Sequence, residues 1–356
     1  MSSNEVLNMG LIVLVTTVFS ACVMHFMKKI AHHIDAIDYP SDKEEHRHIH
    51  KKATPKLGGV GIFLAFLFGY MLFGEHSIKM NAILIGSIII VLTGIIDDIK
   101  PVKASQKLIG QAIAATIIAC YGQILLQNIT FLGYVIDFGI FAYPITILFI
   151  IACVNVINLI DGIDGLSGGI SSIFYLTVGI ISLYQARYGS LEILLAFIML
   201  GATIGFLFHN FNPASIFAGD CSMFMGFMIA IISLLGFKAA ALTSFFIPLV
   251  ILIIPILDTL FAIVRRKLKG KPIFSADKDH IHHQLIKMNL SARTTVLVIY
   301  LVDLLFAIAT VIYVIKDTKI GMIIYSVLFV IILVFALNTS IISDKLPKKI
   351  KKITKK

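Results

Sequence analysis

Uncharged apolar runs of about twenty residues, each long enough to cross a bilayer as a helix, follow one another along nearly the whole chain. Hydrocarbon offers no hydrogen bonds to a backbone, so runs of this kind close their own as helices. With 58% of the 356 residues hydrophobic and 14% charged, the membrane is the solvent and little length remains for a soluble domain. The expected fold class is all-α, a polytopic integral membrane protein with about eleven transmembrane helices in a single domain over residues 1–356. The spans are centred near residues 17, 66, 88, 115, 149, 177, 200, 231, 254, 304 and 331.

The first run, from Leu7 to Met27, has no basic residue before it and is followed by Lys28 and Lys29. It therefore reads as a retained span with the N-terminus outside. Eleven spans then place the C-terminus in the cytoplasm, together with segments 28–56, 97–107, 158–168, 209–222, 265–293 and 343–356. Those segments carry 25 of the 30 Lys and Arg residues, and the outer ones keep Lys79, Arg187, Lys238, Lys316 and Lys319. The net charge of +10 is thus a matter of orientation and excludes a nucleic-acid binder. The basic tail, residues 345–356, is placed to attract anionic headgroups of membrane lipids. Cys22, Cys120, Cys153 and Cys221 have no metal spacing and imply no disulfide framework.

Under this topology the unusual polar residues gather on one side. Asp97 and Asp98 end the third span in TGIIDDIKPV; Asn155, Asn158, Asp161 and Asp164 end the fifth in NVINLIDGIDGL; Asn210 and Asp220 lie in HNFNPASIFAGDCSMFMG. Acids beside apolar spans are costly unless paired, solvated or bound to a cation, so a cluster of them marks a working site. Carboxylate and amide oxygens suit Mg²⁺, which completes its shell with water and phosphate. Asn155 and Asn158 fall on one helical face, and Gly162, Gly165, Gly168 and Gly169 let backbone N–H groups come close to a phosphate. A helix cap needs one Asp or Asn, and this segment has four. Lys100, Lys103 and Lys107 follow the Asp97–Asp98 pair and bring anion-binding groups near a candidate metal ligand.

Two further segments are rich in basic residues and histidine. In RRKLKGKPIFSADKDHIHHQL, residues His280, His282 and His283 are candidates to hydrogen-bond a diphosphate or sugar, since no Cys or acid stands at zinc spacing. In HRHIHKKATPKLGGVGIF, His50 is the candidate substrate-binding residue and His46 a surface one.

In order along the chain, the HKKATPKLGGVGIF segment, the Asp97–Asp98 pair, the Asn155 to Leu166 segment, the Asn210 to Asp220 stretch with Pro213 and Phe217, and the FSADKDHIHHQL loop resemble one family. It is that of the polyprenyl-phosphate N-acetylhexosamine-1-phosphate transferases, which also contains phospho-N-acetylmuramoyl-pentapeptide transferase. The resemblance implies an enzyme of the bacterial inner membrane with its active site facing the cytoplasm. In it undecaprenyl phosphate attacks the β-phosphorus of a UDP-sugar, giving a lipid-linked sugar diphosphate and UMP with the help of Mg²⁺, or Mn²⁺ in its place. The His-Ile-His-His loop after Ser-Ala-Asp is similar to the branch that uses UDP-GlcNAc or a related UDP-HexNAc for teichoic acid, enterobacterial antigen or O-antigen synthesis. The muramoyl-pentapeptide branch ranks second.

The resemblance also assigns roles. It implies Asp220 and Asn158 as metal ligands, Asp98 with Asp97 beside it at the lipid phosphate, and Asp161 and Asp164 positioning the nucleotide. Lys107, Asn155, Asn210 and His50 join the histidine loop in binding substrate. A second copy of the chain, as a homodimer, is the remaining candidate partner. One departure stands out: the family has Gly-Asp-x-Gly-Ser, whereas Asp220 is followed by Cys221, Ser222 and Met223. One glycine fewer bears on the backbone of that loop and on the geometry at Asp220. The rival class is a secondary transporter, but its acids would sit at the bilayer midplane between inverted repeats, and no internal repeat is visible here.

Overall fold

The computed structural model describes residues 3–39, 53–131, 134–185, 189–236, 252–268 and 281–338. It is mostly helical, in two compact units, Met1–Val250 and Ile251–Lys356. The first holds α1 (Ser3–His33), α2 (Gly58–Phe73), α3 (Ile78–Ile99), α4 (Ala104–Thr116), α5 (Ala142–Ile160), α6 (Leu166–Tyr184), α7 (Leu191–Asn210) and α8 (Met223–Gly236). The second holds α9 (Ile253–Leu268), α10 (Ile281–Lys287), α11 (Ala292–Ile315) and α12 (Thr318–Asn338).

Among the described residues, eight helices are long and apolar enough to cross a membrane. They match the expected spans near 17, 88, 149, 177, 200, 231, 304 and 331. The other three expected spans are shorter or only partly described. With 16 residues, α2 reaches about 24 Å, less than the roughly 30 Å of hydrocarbon. The span near 115 is α4, 13 residues continued by a π-helical turn over Ile117–Tyr121. Residue 254 lies at the very start of α9, and residues 237–251 lie outside the described residues.

Small residues let the first unit pack closely. A side chain at Gly201 or Gly205 of α7 would collide with Thr16 and Ser20 of α1, and Ser20 Oγ donates to the Ala202 carbonyl at 2.7 Å. Without a hydrophobic drive between helices in lipid, such close approach and interhelical hydrogen bonds supply the attraction. In the same unit α6 packs on α7, and α5 on α8.

Two antiparallel pairs interrupt the all-α pattern. β1 (Ile37–Asp38) pairs with β2 (Thr54–Pro55), with Ile37 opposite Pro55 and Asp38 opposite Thr54. β3 (Asn128–Phe131) pairs with β4 (Tyr134–Asp137). The first pair ties the chain leaving α1 to the chain entering α2, at the end of the bundle where α3 and α5 terminate.

In the second unit, α11 is capped by Ser291, whose hydroxyl accepts from the Thr294 N–H at 3.1 Å. α11 and α12 form a hairpin in which the rings of Tyr313 and Tyr325 lie 5.7 Å apart. α10 is joined to α9 by the Ile281 N–H donating to Asp258 Oδ1 at 2.7 Å.

Candidate active site

The site begins with three chain ends that stop for local reasons. α3 closes at Ile99 because Pro101 disfavours a helical residue before it, leaving Asp97 and Asp98 on its last turn, each 7% exposed. Asp97 Oδ1 accepts the Val102 N–H at 2.7 Å, which folds the chain back toward α4. α5 closes at Ile160 with Asp161 as its cap residue, and Gly165, at φ +85°, makes the left-handed turn into α6. The third end is the short 3-10 turn Gly219–Ser222 that leads into α8.

Side chains lock these ends together. The Lys107 ammonium of α4 is paired with Asp97 and lies 2.7 Å from Asp220 Oδ1. The Asp220 N–H donates to both oxygens of Asp98, at 3.0 and 3.1 Å. Asn158 Nδ2 donates to Ser222 Oγ at 3.0 Å and approaches Asp220 Oδ1 at 3.4 Å. Because a carboxylate and this hydroxyl both take up the amide nitrogen, the amide oxygen is turned away from them. The Ser167 hydroxyl donates to Asp161 Oδ1.

A cavity of about 290 Å³ opens among these residues, lined by Asp98, Asn158, Asp161, Asp164, Asn210 and Asp220 together with Asp38, Lys56 and Phe217. Not every polar wall residue points its chemistry inward. Asp164 Oδ2 accepts from Asn212 Nδ2 and from the Ala214 N–H, both at 3.0 Å. Asn210 Oδ1 accepts the Gly165 N–H at 2.8 Å, while its nitrogen donates to the Ile216 carbonyl at 2.9 Å. Both residues thus brace the loops that shape the cavity.

A model of the family described as glycosyl transferase family 4 matches residues 80–237. The probable undecaprenyl-phosphate N-acetylglucosaminyl 1-phosphate transferase of Bacillus subtilis (strain 168) is 36% identical over 323 residues, which cover 90% of this chain and 88% of that protein. The chain belongs to this family. A decaprenyl-phosphate N-acetylglucosaminephosphotransferase of Mycobacterium tuberculosis (strain ATCC 25618 / H37Rv) is 29% identical over 306 residues, 77% of this chain and 75% of that protein. A phospho-N-acetylmuramoyl-pentapeptide-transferase of Thermoanaerobacter sp. (strain X514) is 32% identical over 258 residues, 67% of this chain and 78% of that protein.

In this family-4 chain the structure brings Asp97, Asp98, Lys107, Asn158, Asp161, Asp164, Asn210 and Asp220 to one end of the bundle. Asn155 is directed elsewhere: its nitrogen donates to Gln111 Oε1 at 2.7 Å and to the Ile151 carbonyl at 2.8 Å, joining α5 to α4. His50 and His280 lie outside the described residues, as do the side chains of His282 and His283, whose backbone belongs to α10.

The loop that departs from the family pattern keeps the glycine its backbone needs. The left-handed residue is Gly219, at φ +68°, where a side chain would strike both the Asp98 carboxylate and the Lys56 carbonyl. Ser222 has no positive φ, so a side chain there costs no backbone strain, and its buried hydroxyl is the partner of Asn158. Sequence reading passed over Ser222, and also Lys56 and Asp38, which stand on the cavity wall through the β1–β2 pairing. The HKKATPKLGG segment did contain a signal for Lys56, a lone cation just before the Gly58–Gly59 pair.

Removal from water pushes the Asp161 carboxyl up to about 8, with Asp220 and Asp164 adding to the effect and the Ser167 hydroxyl opposing it. No array of three or more His, Cys, Asp or Glu side chains suited to a metal occurs among the described residues. Mg²⁺ requires none, because it takes one or two protein carboxylates and completes its shell with water and substrate phosphate. Asp220, a single carboxylate on the cavity wall beside Asn158, fits that sparse and hard-oxygen donor set.

Proposed function

We propose that this enzyme transfers GlcNAc-1-phosphate from UDP-GlcNAc to undecaprenyl phosphate, releasing UMP and making the first lipid-linked intermediate of a cell-envelope polysaccharide. The observation that carries this reading is the set of four carboxylates, Asp98, Asp161, Asp164 and Asp220, on one cavity at the ends of apolar helices. The names of the Bacillus and Mycobacterium relatives support the same donor and acceptor. The relative named as a muramoyl-pentapeptide transferase matches over less of this chain, which makes that substrate the weaker fit. A transporter fits poorly, since the acids stand at helix ends and not at mid-span.

In the reaction an oxygen of the lipid phosphate attacks the β-phosphorus of the nucleotide sugar. A phosphorus–oxygen bond forms as the bond to UMP breaks, and UMP departs with the electron pair. A phosphate monoester, with a second pKa of about 6, arrives largely as a dianion. Charge and alignment, more than proton removal, are therefore what the protein must manage. Asp98, fixed by the Asp220 N–H, is the residue assigned to the acceptor phosphate. Asn158 and Asp161 border the same space and orient the nucleotide. Asp220 and Asn158 would hold Mg²⁺, which supplies neutralising charge at the diphosphate. The active site is placed on the cytoplasmic side of the bacterial inner membrane, a placement supported by the 25-to-5 division of Lys and Arg.

The test is direct. Purified protein is incubated with undecaprenyl phosphate, Mg²⁺ and a panel of UDP-sugars, and UMP release is measured. UDP-GlcNAc or a close UDP-HexNAc should turn over in preference to UDP-MurNAc-pentapeptide; preference for the pentapeptide donor would move the enzyme to the other branch.

A further inference from the structure

The cavity presents a problem of charge. The carboxyl groups of Asp98, Asp161, Asp164 and Asp220 line it and offer no positive charge, yet both substrates bring phosphate. Anionic groups enter such a place only against a positioned cation. Lys107 is not on the cavity wall, and its ammonium is already held by Asp97 and Asp220. Among the described residues, the cation that does line the cavity is Lys56.

The main chain fixes Lys56 from two sides. Its N–H donates to the Ala36 carbonyl at 3.0 Å, which ties it to the chain leaving α1. On the other side the Phe217 N–H donates to the Pro55 carbonyl at 2.8 Å, and the Gly58 N–H donates to the Phe217 carbonyl at 2.8 Å. Gly219 then packs between the Lys56 carbonyl and the Asp98 carboxylate. The backbone at Lys56 is therefore stapled to the loop that carries Asp220, and the side chain takes no part in that staple.

What the side chain does is weaker. Its Nζ lies 3.4 Å from Asp38 Oδ1, with 28% of the Lys56 and 23% of the Asp38 side chain exposed. That is long for a charge-assisted hydrogen bond, which runs at about 2.7–2.9 Å, and partly solvated pairs hold loosely. A phosphate dianion competes well against a contact of that length. We infer that Lys56 is a phosphate-binding residue of the cavity, resting on Asp38 until a phosphoryl oxygen of a substrate replaces it.

This inference rests on the sugar-phosphate transfer proposed above. The ligand chemistry is a phosphoryl anion, offered both by the polyprenyl phosphate and by the diphosphate of the nucleotide sugar. Steady-state kinetics with undecaprenyl phosphate and UDP-GlcNAc separate the two. Lys56→Met keeps the length of the side chain and removes its charge. It should raise KM for one of the two substrates about tenfold, the worth of one charge-assisted contact, while the thermal midpoint stays near that of the wild type. Lys56→Arg should recover most of the loss. Asp38→Asn should lower the same KM, because the competing carboxylate is gone.

A rise confined to undecaprenyl phosphate assigns Lys56 to the acceptor, and a rise confined to UDP-GlcNAc assigns it to the donor. Unchanged KM for both in a folded, active Lys56→Met protein overturns the inference and leaves the transfer reaction standing. If the wild-type protein releases no UMP, the transfer reading fails by itself. Equilibrium binding of each ligand to wild type and Lys56→Met, measured without turnover, then decides the inference: equal affinities overturn it.

Discussion

The Lys107 ammonium lies 2.7 Å from Asp220 Oδ1 and is also paired with Asp97, so one cation from α4 joins the end of α3 to the turn before α8. The ammonium balances two carboxylates that would otherwise repel each other, with Asp97 the more deeply buried. Lys107→Met should lower the stability of the detergent-solubilised protein by roughly 1–3 kcal/mol, the cost of leaving buried charged groups unpaired. Turnover should fall as well. Thermal unfolding with parallel UMP assays checks both; an unaltered midpoint would mean that solvent replaces the ammonium at no cost.

Asp220→Asn keeps the size of the side chain and an oxygen for Lys107 but removes the negative charge. Turnover should fall by about a hundredfold or more, as when one positioned electrostatic group is lost from a site, with thermal stability close to normal. A variant that retained most of its activity with the same Mg²⁺ requirement would exclude Asp220 as the metal ligand.

Ser222→Ala removes the acceptor that anchors the Asn158 amide at 3.0 Å. The expected loss is about 0.5–1.5 kcal/mol of stability, that of one neutral hydrogen bond. Combined with Asn158→Ala in a double-mutant cycle, the two changes should be clearly non-additive in turnover and in midpoint. Additive effects would show that the hydroxyl does not position Asn158.

Asp161 makes stability depend on pH in a definite direction. Its folded-state carboxyl is pushed up to about 8, against an ordinary value near 3.8. Between those two values the folded protein keeps a proton that the unfolded chain has released. The stabilisation is complete below the lower value and is lost as pH rises through the window to about 8. Asp161→Asn, which cannot ionise, should flatten this part of the midpoint-versus-pH curve. Identical slopes in wild type and variant would remove Asp161 from the account.

Orientation can be read chemically. With a cysteine introduced by Lys278→Cys, a membrane-impermeant thiol reagent applied to intact cells should leave residue 278 unlabelled and label it only after permeabilisation. Labelling from outside would invert the topology.

Hydropathy and helix-end chemistry are local properties, and the amino-acid sequence alone carries both. It gave the helical membrane architecture, eight spans that the structure repeats, the acids at the ends of α3 and α5, and the family. It placed the apolar run near residue 66 but not the length of α2, 16 residues, and it could not show the β1–β2 pair, whose strands of two residues each carry no period to read. Spacing put Asn155 and Asn158 on one face, but only packing decided that Asn155 meets Gln111 of α4 while Asn158 meets Ser222. Likewise Asp164 and Asn210 could be chosen as polar residues near a site, yet their roles as loop braces depend on partners in the folded chain. The decisive contacts join residues far apart in sequence, Asp98 to Asp220 across 122 positions and Lys107 to Asp220 across 113. A carboxylate's partner is set by which helix ends come within 3 Å of one another, and that is fixed by how the helices pack and not by the residues on either side of it.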